Sequence, residues 1–231
     1  MSIFAANTLA SQVKNEKHHD VNQILDLGNI TYGGLFYDTK GDVIQAHSGG
    51  IYHDDHSNAF HLYGNDFTNA NKSDPFETVN LYKSRDLVNW EFVSVLVTSD
   101  SYGWNESNGG SETECSEFVV LERPKIYFNK HTHKYIMYSQ VTDSEYNNNM
   151  LGVAISDDLE KCWKFAKCYK AGGLKSWDVG LYVDDDEESS VYLIYSSNAN
   201  GKGTNGALRI SKLTIDVLTL KLKTLPLEEV S

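Results

Sequence analysis

Two carboxylates, Glu122 and Asp178, are the residues of this chain whose types could do bond-breaking chemistry, and Trp177 stands beside the second of them. Glycoside hydrolysis needs two carboxyl groups facing one pocket. One is protonated to hand its proton to the leaving oxygen, and the other is ionised. A neighbouring indole would add an apolar face for a sugar ring. A plainer explanation uses the same residues: Glu122 pairs with Arg123 or Lys125, and Asp178 caps a turn. The choice rests on whether the fold brings the two positions together.

Other chemistry-bearing clusters are weaker. His53-Asp-Asp-His56 has the residue types of a metal site, but it occupies a hairpin connection. The equivalent connections read Asn129-Lys-His-Thr-His133 and Asp184-Asp-Asp-Glu-Glu188, so turn chemistry accounts for all three and no metal is expected. Cys115 lies between acidic residues, which would raise its pKa and disfavour a thiolate nucleophile. Cys162 and Cys168 could pair across neighbouring backbone, or remain thiols. No phosphate loop, dinucleotide fingerprint or nucleophile elbow is present, and no cofactor is expected.

The elements that must position these residues are β-strands. From Ile30 onward, short apolar and aromatic runs alternate with Gly, Asn, Asp and Ser clusters. The runs repeat. Gly49 to Asp54, Ala59 to Tyr63, Val79 to Asp86 and Trp90 to Phe92 match Pro124 to Asn129, Lys134 to Tyr138, Leu151 to Asp157 and Trp163 to Phe165. A third unit runs through Val179 to Asp184, Val191 to Tyr195, Ala207 to Ser211 and Leu218 to Leu222, and the third strand of every unit ends on Ser. Four antiparallel strands recurring every ~55–75 residues describe the blades of a β-propeller. The first period is lengthened by a polar insertion, Ser99 to Ser116.

In a propeller the first strand of each blade lines the axis, so the residues just before it meet at one face. Here those are His47 and Ser48, Glu122 and Arg123, and Trp177 and Asp178. Residues 1–28 show no period and are expected to form a poorly ordered leader ahead of a single domain, 29–231. A net charge of −12 with no basic cluster argues against nucleic acid and anionic membranes as partners. No apolar run is long enough to span a bilayer.

At these residues the chain resembles glycoside hydrolase family 43, five-bladed propeller enzymes, and within it the galactan 1,3-β-galactosidase branch. The matching stretches are Asp38 to Ile51, Phe60 to Asn65, Tyr82 to Trp90, Glu122-Arg-Pro-Lys125, and Asp178 to Asp186 with Tyr192 to Ser197. The resemblance implies an inverting hydrolase that releases terminal galactose from β-1,3-galactan of the arabinogalactan type, expected to act as a monomer on carbohydrate. Glu122 falls on the carboxylate that tunes the catalytic acid and touches the terminal sugar. Asp178 and Tyr146 fall on sugar-binding positions, and Gln45 and His47 on the pocket floor. The first blade carries Gln45, Ala46 and His47 where the wider family has an aspartate, a departure that this branch shares and that argues against an arabinofuranosidase or xylosidase. Asn65 stands where the branch usually has an acid, so it keeps hydrogen bonding and loses a charge. The general acid is expected in a fourth blade beyond Ser231, leaving about three blades of five in this chain. The family is usually secreted, yet Met1 to Asn29 lacks the apolar segment of a signal peptide. The alternative is a remnant that binds galactosides through Trp177, Asp178 and Tyr146 without turnover.

Overall fold

The structure is a computed structural model that describes residues 34–68, 78–98, 120–185, 190–198 and 206–213. The leader 1–28, the insertion Ser99 to Ser116 and the strand expected from Leu218 to Leu222 lie outside the described residues.

The described chain is all-β, and its sheets are the repeats read from sequence. β1 (His47–Asp54), β2 (Ala59–Asp66), β3 (Thr78–Ser84) and β4 (Glu91–Thr98) form one antiparallel sheet in sequential order. β5 (Val120–Asn129), β6 (Lys134–Thr142), β7 (Met150–Ser156) and β8 (Lys164–Tyr169) form the second. β9 (Ser176–Val183), β10 (Val191–Ser197) and β11 (Ala207–Lys212) form the third. These are three blades of a propeller.

Turn residues explain the repeat signature. Asp54 accepts the backbone N–H of Ser57 at 3.0 Å, and Asn129 accepts those of His131 and Thr132 at 2.9 and 3.0 Å. Both hairpins then close through a left-handed residue, Asn58 (φ 47°) and His133 (φ 53°). Asp and Asn suit these turns because a short polar side chain can replace a backbone acceptor. The serine ending the third strand has the same use. Ser84 Oγ accepts the N–H of Asp86 and of Leu87, and Ser156 Oγ accepts that of Asp158. Trp90 and Trp163 cover these turns, donating their indole N–H to the carbonyls of Leu87 and Leu159.

The middle blade is buried on both faces, which is why its strands are nearly continuous apolar runs. Ile126 and Met137 point into the core shared with the first blade, and their neighbours Tyr127, Ile136 and Tyr138 into the core shared with the third. This alternation is the two-residue period of a strand. Each fully buried side chain of this size contributes roughly 1.5–3 kcal/mol by leaving water.

A buried imidazole sits in the first interface. His61 on β2 is 1% exposed, and its Nε2 lies 3.5 Å from Glu160 without hydrogen-bond geometry. Glu160 itself accepts Lys83 Nζ at 2.6 Å, and its carbonyl accepts Ser94 Oγ from β4. Burial pushes the imidazole below its ordinary pKa; Glu160 opposes the shift and Lys83 adds to it. Between the folded and the ordinary pKa the unfolded chain therefore binds more protons, so stability is full above about pH 6.5 and falls on acidification. His61→Phe, which cannot protonate, should lose less thermal stability than wild type between pH 7.5 and 5, by roughly 2–4 °C for each kcal/mol of linkage. Parallel curves for the two proteins would show that His61 takes up its proton equally in the folded and unfolded chain, so that burial does not shift it.

Candidate active site

The three innermost strands carry the same irregularity at the same place. Pairing slips between His47 and Gly50 on β1, between Glu122 and Lys125 on β5, and between Trp177 and Gly180 on β9, where two residues oppose one on the neighbouring strand. In each bulge the first extra residue is left-handed: Ser48 (φ 56°), Arg123 (φ 55°) and Asp178 (φ 52°). A bulge re-aims the side chains around it, and non-glycine residues in this region are strained by about 1–3 kcal/mol. Each residue pair expected to meet at the axis is the residue before a bulge and its first, left-handed member. Glu122 is thus the counterpart of His47 and Trp177, while Asp178 is the counterpart of Ser48 and Arg123.

The bulges bring the two carboxylates into one array. Arg123 Nη2 lies 3.0 Å from Asp178 Oδ1, so the ion pair runs from the second blade to the third. Asp178 Oδ2 also accepts Ser196 Oγ at 2.9 Å, and the Asp178 backbone N–H donates to Gln140 Oε1 at 3.1 Å. Glu122 accepts the Tyr146 hydroxyl at 2.6 Å. The phenol is thereby raised above its ordinary pKa, first by burial and then by Glu122, which keeps Tyr146 a donor. Tyr146 is itself left-handed (φ 60°), held by a loop in which Asp143 Oδ1 accepts the N–H groups of Glu145 and Asn147. Glu122 is half-buried, whereas Asp178 and Tyr146 are exposed and open to a ligand.

The charge partners differ from those of the plainer explanation. Arg123 pairs with Asp178, not with Glu122. Lys125 turns to the first blade and donates to the carbonyls of Ser48 at 2.8 Å and Gly49 at 3.0 Å. Burial, with a contribution from Arg123, lowers the Lys125 pKa to about 8.

The other expected site residues are placed as follows. His47 is exposed at the mouth of β1, accepting or donating a hydrogen bond with Ser48 Oγ at 2.8 Å and packing edge-on to Phe67. Gln45 is fixed through its backbone, its N–H on the Tyr82 hydroxyl and its carbonyl on Asn80 Nδ2. Trp177 is half-buried opposite Ser196. Asn65 is fully buried, with its amide donated to the Leu121 carbonyl at 2.9 Å, so it offers a ligand no surface. Sequence reasoning placed Arg123 at the axis but not as the partner of Asp178, and it overlooked Gln140 and Ser196 as members of the array. The signal for Gln140 was there: Ser139-Gln140 interrupts an apolar strand, and buried polar groups need partners. Away from the axis, Cys162 is an exposed thiol and Cys168 is disulfide-bonded elsewhere, so the Cys162–Cys168 pairing does not form.

Comparison with known proteins agrees with this fold. The exo-β-1,3-galactanase of Phanerochaete chrysosporium, solved with galactose, superposes with a TM-score of 0.65 at 29% identity over 79% of this chain and 38% of that one. A variant of the same enzyme solved with β-1,3-galactotriose gives the same values. The exo-β-1,3-galactanase of Clostridium thermocellum superposes with a TM-score of 0.66 at 25% identity over 85% of this chain and 40% of that one. The chain therefore spans about two fifths of the length of these solved proteins. Comparison with curated proteins finds no match. The family model described as glycosyl hydrolases family 43 matches residues 51–228, most of the chain, and the protein belongs to that family.

Proposed function

We propose that this chain binds the terminal galactose of a β-1,3-galactan at the axis and takes part in its release with inversion. The observation that carries the reading is the linked array of Glu122, Tyr146, Arg123, Asp178 and Ser196 at the bulged mouths of adjacent blades. It presents fixed carboxylate oxygens as acceptors for sugar hydroxyls, with Trp177 beside them. The galactanase likenesses supply the sugar class. Residues 29–231 act as the glycosidase unit, and the partner is a neutral polysaccharide rather than a polyanion.

In this mechanism water adds to the anomeric carbon from the face opposite the leaving group. The glycosidic bond breaks as the leaving oxygen takes a proton from a general acid. Glu122 and Asp178 are not that acid: Glu122 already accepts Tyr146, and Asp178 is charge-paired with Arg123. Their part is to hold hydroxyls and to shape the field in which the acid works. The same commitments favour a second reading, in which this chain binds galactosides without turnover.

Calorimetric titration with galactose and β-1,3-galactobiose, with NMR detection of the first anomer released, separates the readings. Release of α-galactose supports the hydrolase. Binding without release supports the binder. Absence of any binding rejects both.

A further inference from the structure

Two amide side chains occupy the same place in successive blades. Asn65 on β2 pairs with His47, just before the β1 bulge, and Gln140 on β6 pairs with Glu122, just before the β5 bulge. Both are buried. Each reaches out of its own blade to the innermost strand of the next one. Asn65 Nδ2 donates to the carbonyl of Leu121, the residue before Glu122, and Gln140 Oε1 accepts the backbone N–H of Asp178. Gln140 has a second arm. Its Nε2 donates to Asn149 Oδ1 at 3.1 Å, and Asn149 Nδ2 donates to the carbonyl of Tyr146 at 2.5 Å. One buried side chain therefore ties together the bulge bearing Asp178 and the loop bearing the tyrosine that holds Glu122.

We propose that Asn65 and Gln140 are inter-blade positioning residues, which set Glu122 and Asp178 from behind without touching sugar. The inference rests on reading those two carboxylates as galactose contacts. A bulge removes ladder hydrogen bonds where it aims a side chain, so the backbone there needs another anchor. A primary amide suits the task because it has both donors and an acceptor. The third blade carries Ser196 at the corresponding position, and its hydroxyl bonds the Asp178 side chain instead. Asn65 was expected to contact sugar. Its complete burial makes it a support for Glu122.

The test compares wild type, Gln140→Leu, Gln140→Glu and Ser156→Ala, each shown to be folded by circular dichroism. Two readouts are taken: galactose affinity by calorimetry, and hydrogen exchange of the Asp178 amide by NMR. Gln140→Leu should weaken galactose binding about tenfold and speed exchange at Asp178, because a buried N–H loses its acceptor. Gln140→Glu keeps that acceptor and should restore much of both, while losing the Asn149 arm. Ser156→Ala loosens the β7–β8 turn away from the axis and should change neither. Wild-type values for Gln140→Leu, or a Gln140→Glu variant no better than Gln140→Leu, would overturn the proposal. If wild type binds no galactose, the galactoside reading fails, and the exchange rate at Asp178 still decides whether Gln140 anchors it.

Discussion

Glu122→Gln is expected to lower release of galactose from β-1,3-galactobiose by about 10²–10³-fold, the usual loss when a preorganised group facing developing charge is removed. The substitution is nearly isosteric, so Tyr146 retains an oxygen to bond to, and the β5 bulge is undisturbed. What disappears is the negative charge at a position fixed by Tyr146 on one side and backed by the Leu121 carbonyl anchored to Asn65 on the other. Binding of galactose should fall far less, since an amide still accepts a sugar hydroxyl. A kinetic assay alongside calorimetry separates the two effects. Equal, small losses in turnover and affinity would mean that Glu122 is a binding group only. Among the described residues, no other carboxylate faces the Tyr146 hydroxyl in the hydrogen bonds seen, so compensation by a neighbour is not expected.

Gly49→Ala should unfold the mouth of the first blade. A Cβ at residue 49 would lie 1.6 Å from the Tyr63 carbonyl oxygen and 2.6 Å from Gly64 Cα, both backbone atoms that cannot swing aside. The opposing strand is equally tight, since a Cβ on Gly64 would lie 2.3 Å from the Ala46 carbonyl carbon and oxygen. The β1 bulge depends on this close approach of two backbones. Relief would require β1 to move off β2, and that would also pull the Ser48 and Gly49 carbonyls away from the Lys125 ammonium. A loss above roughly 3 kcal/mol is expected, placing the variant in the tail of point-mutant effects. For a domain of this size that corresponds to a fall of about 6–12 °C in Tm. Gly206→Ala is the control. A Cβ there meets nothing within 4 Å, so its Tm should stay close to that of wild type. If the two variants melt alike, the packing around the β1 bulge is looser than the structure has it.

The sequence disclosed the blades because each has local causes that repeat. Asp54 and Asn129 make the same hairpin turn, and Ser84 and Ser156 make the same turn after the third strand. Short-range hydrogen bonds of this kind need only residues two or three apart, so they leave a periodic trace in composition. That trace aligned the units, and the alignment placed Glu122-Arg123 and Trp177-Asp178 at corresponding strand mouths.

The partners of those residues were not written locally. Arg123 has Glu122 beside it in sequence but pairs with Asp178, 55 positions away, because left-handed backbone at both bulges swings the two side chains toward each other across the blade boundary. In sequence Asn65 reads as a sugar contact and Gln140 is passed over, and only blade-to-blade packing shows that each anchors the strand of its neighbour. By itself the sequence determined the strands, their grouping into blades and the residues at the strand mouths, since period-two burial and turn chemistry act over a few positions. Tertiary structure alone decided which charges meet and which amides hold them, since those contacts depend on the angle and separation of blades set by two apolar cores.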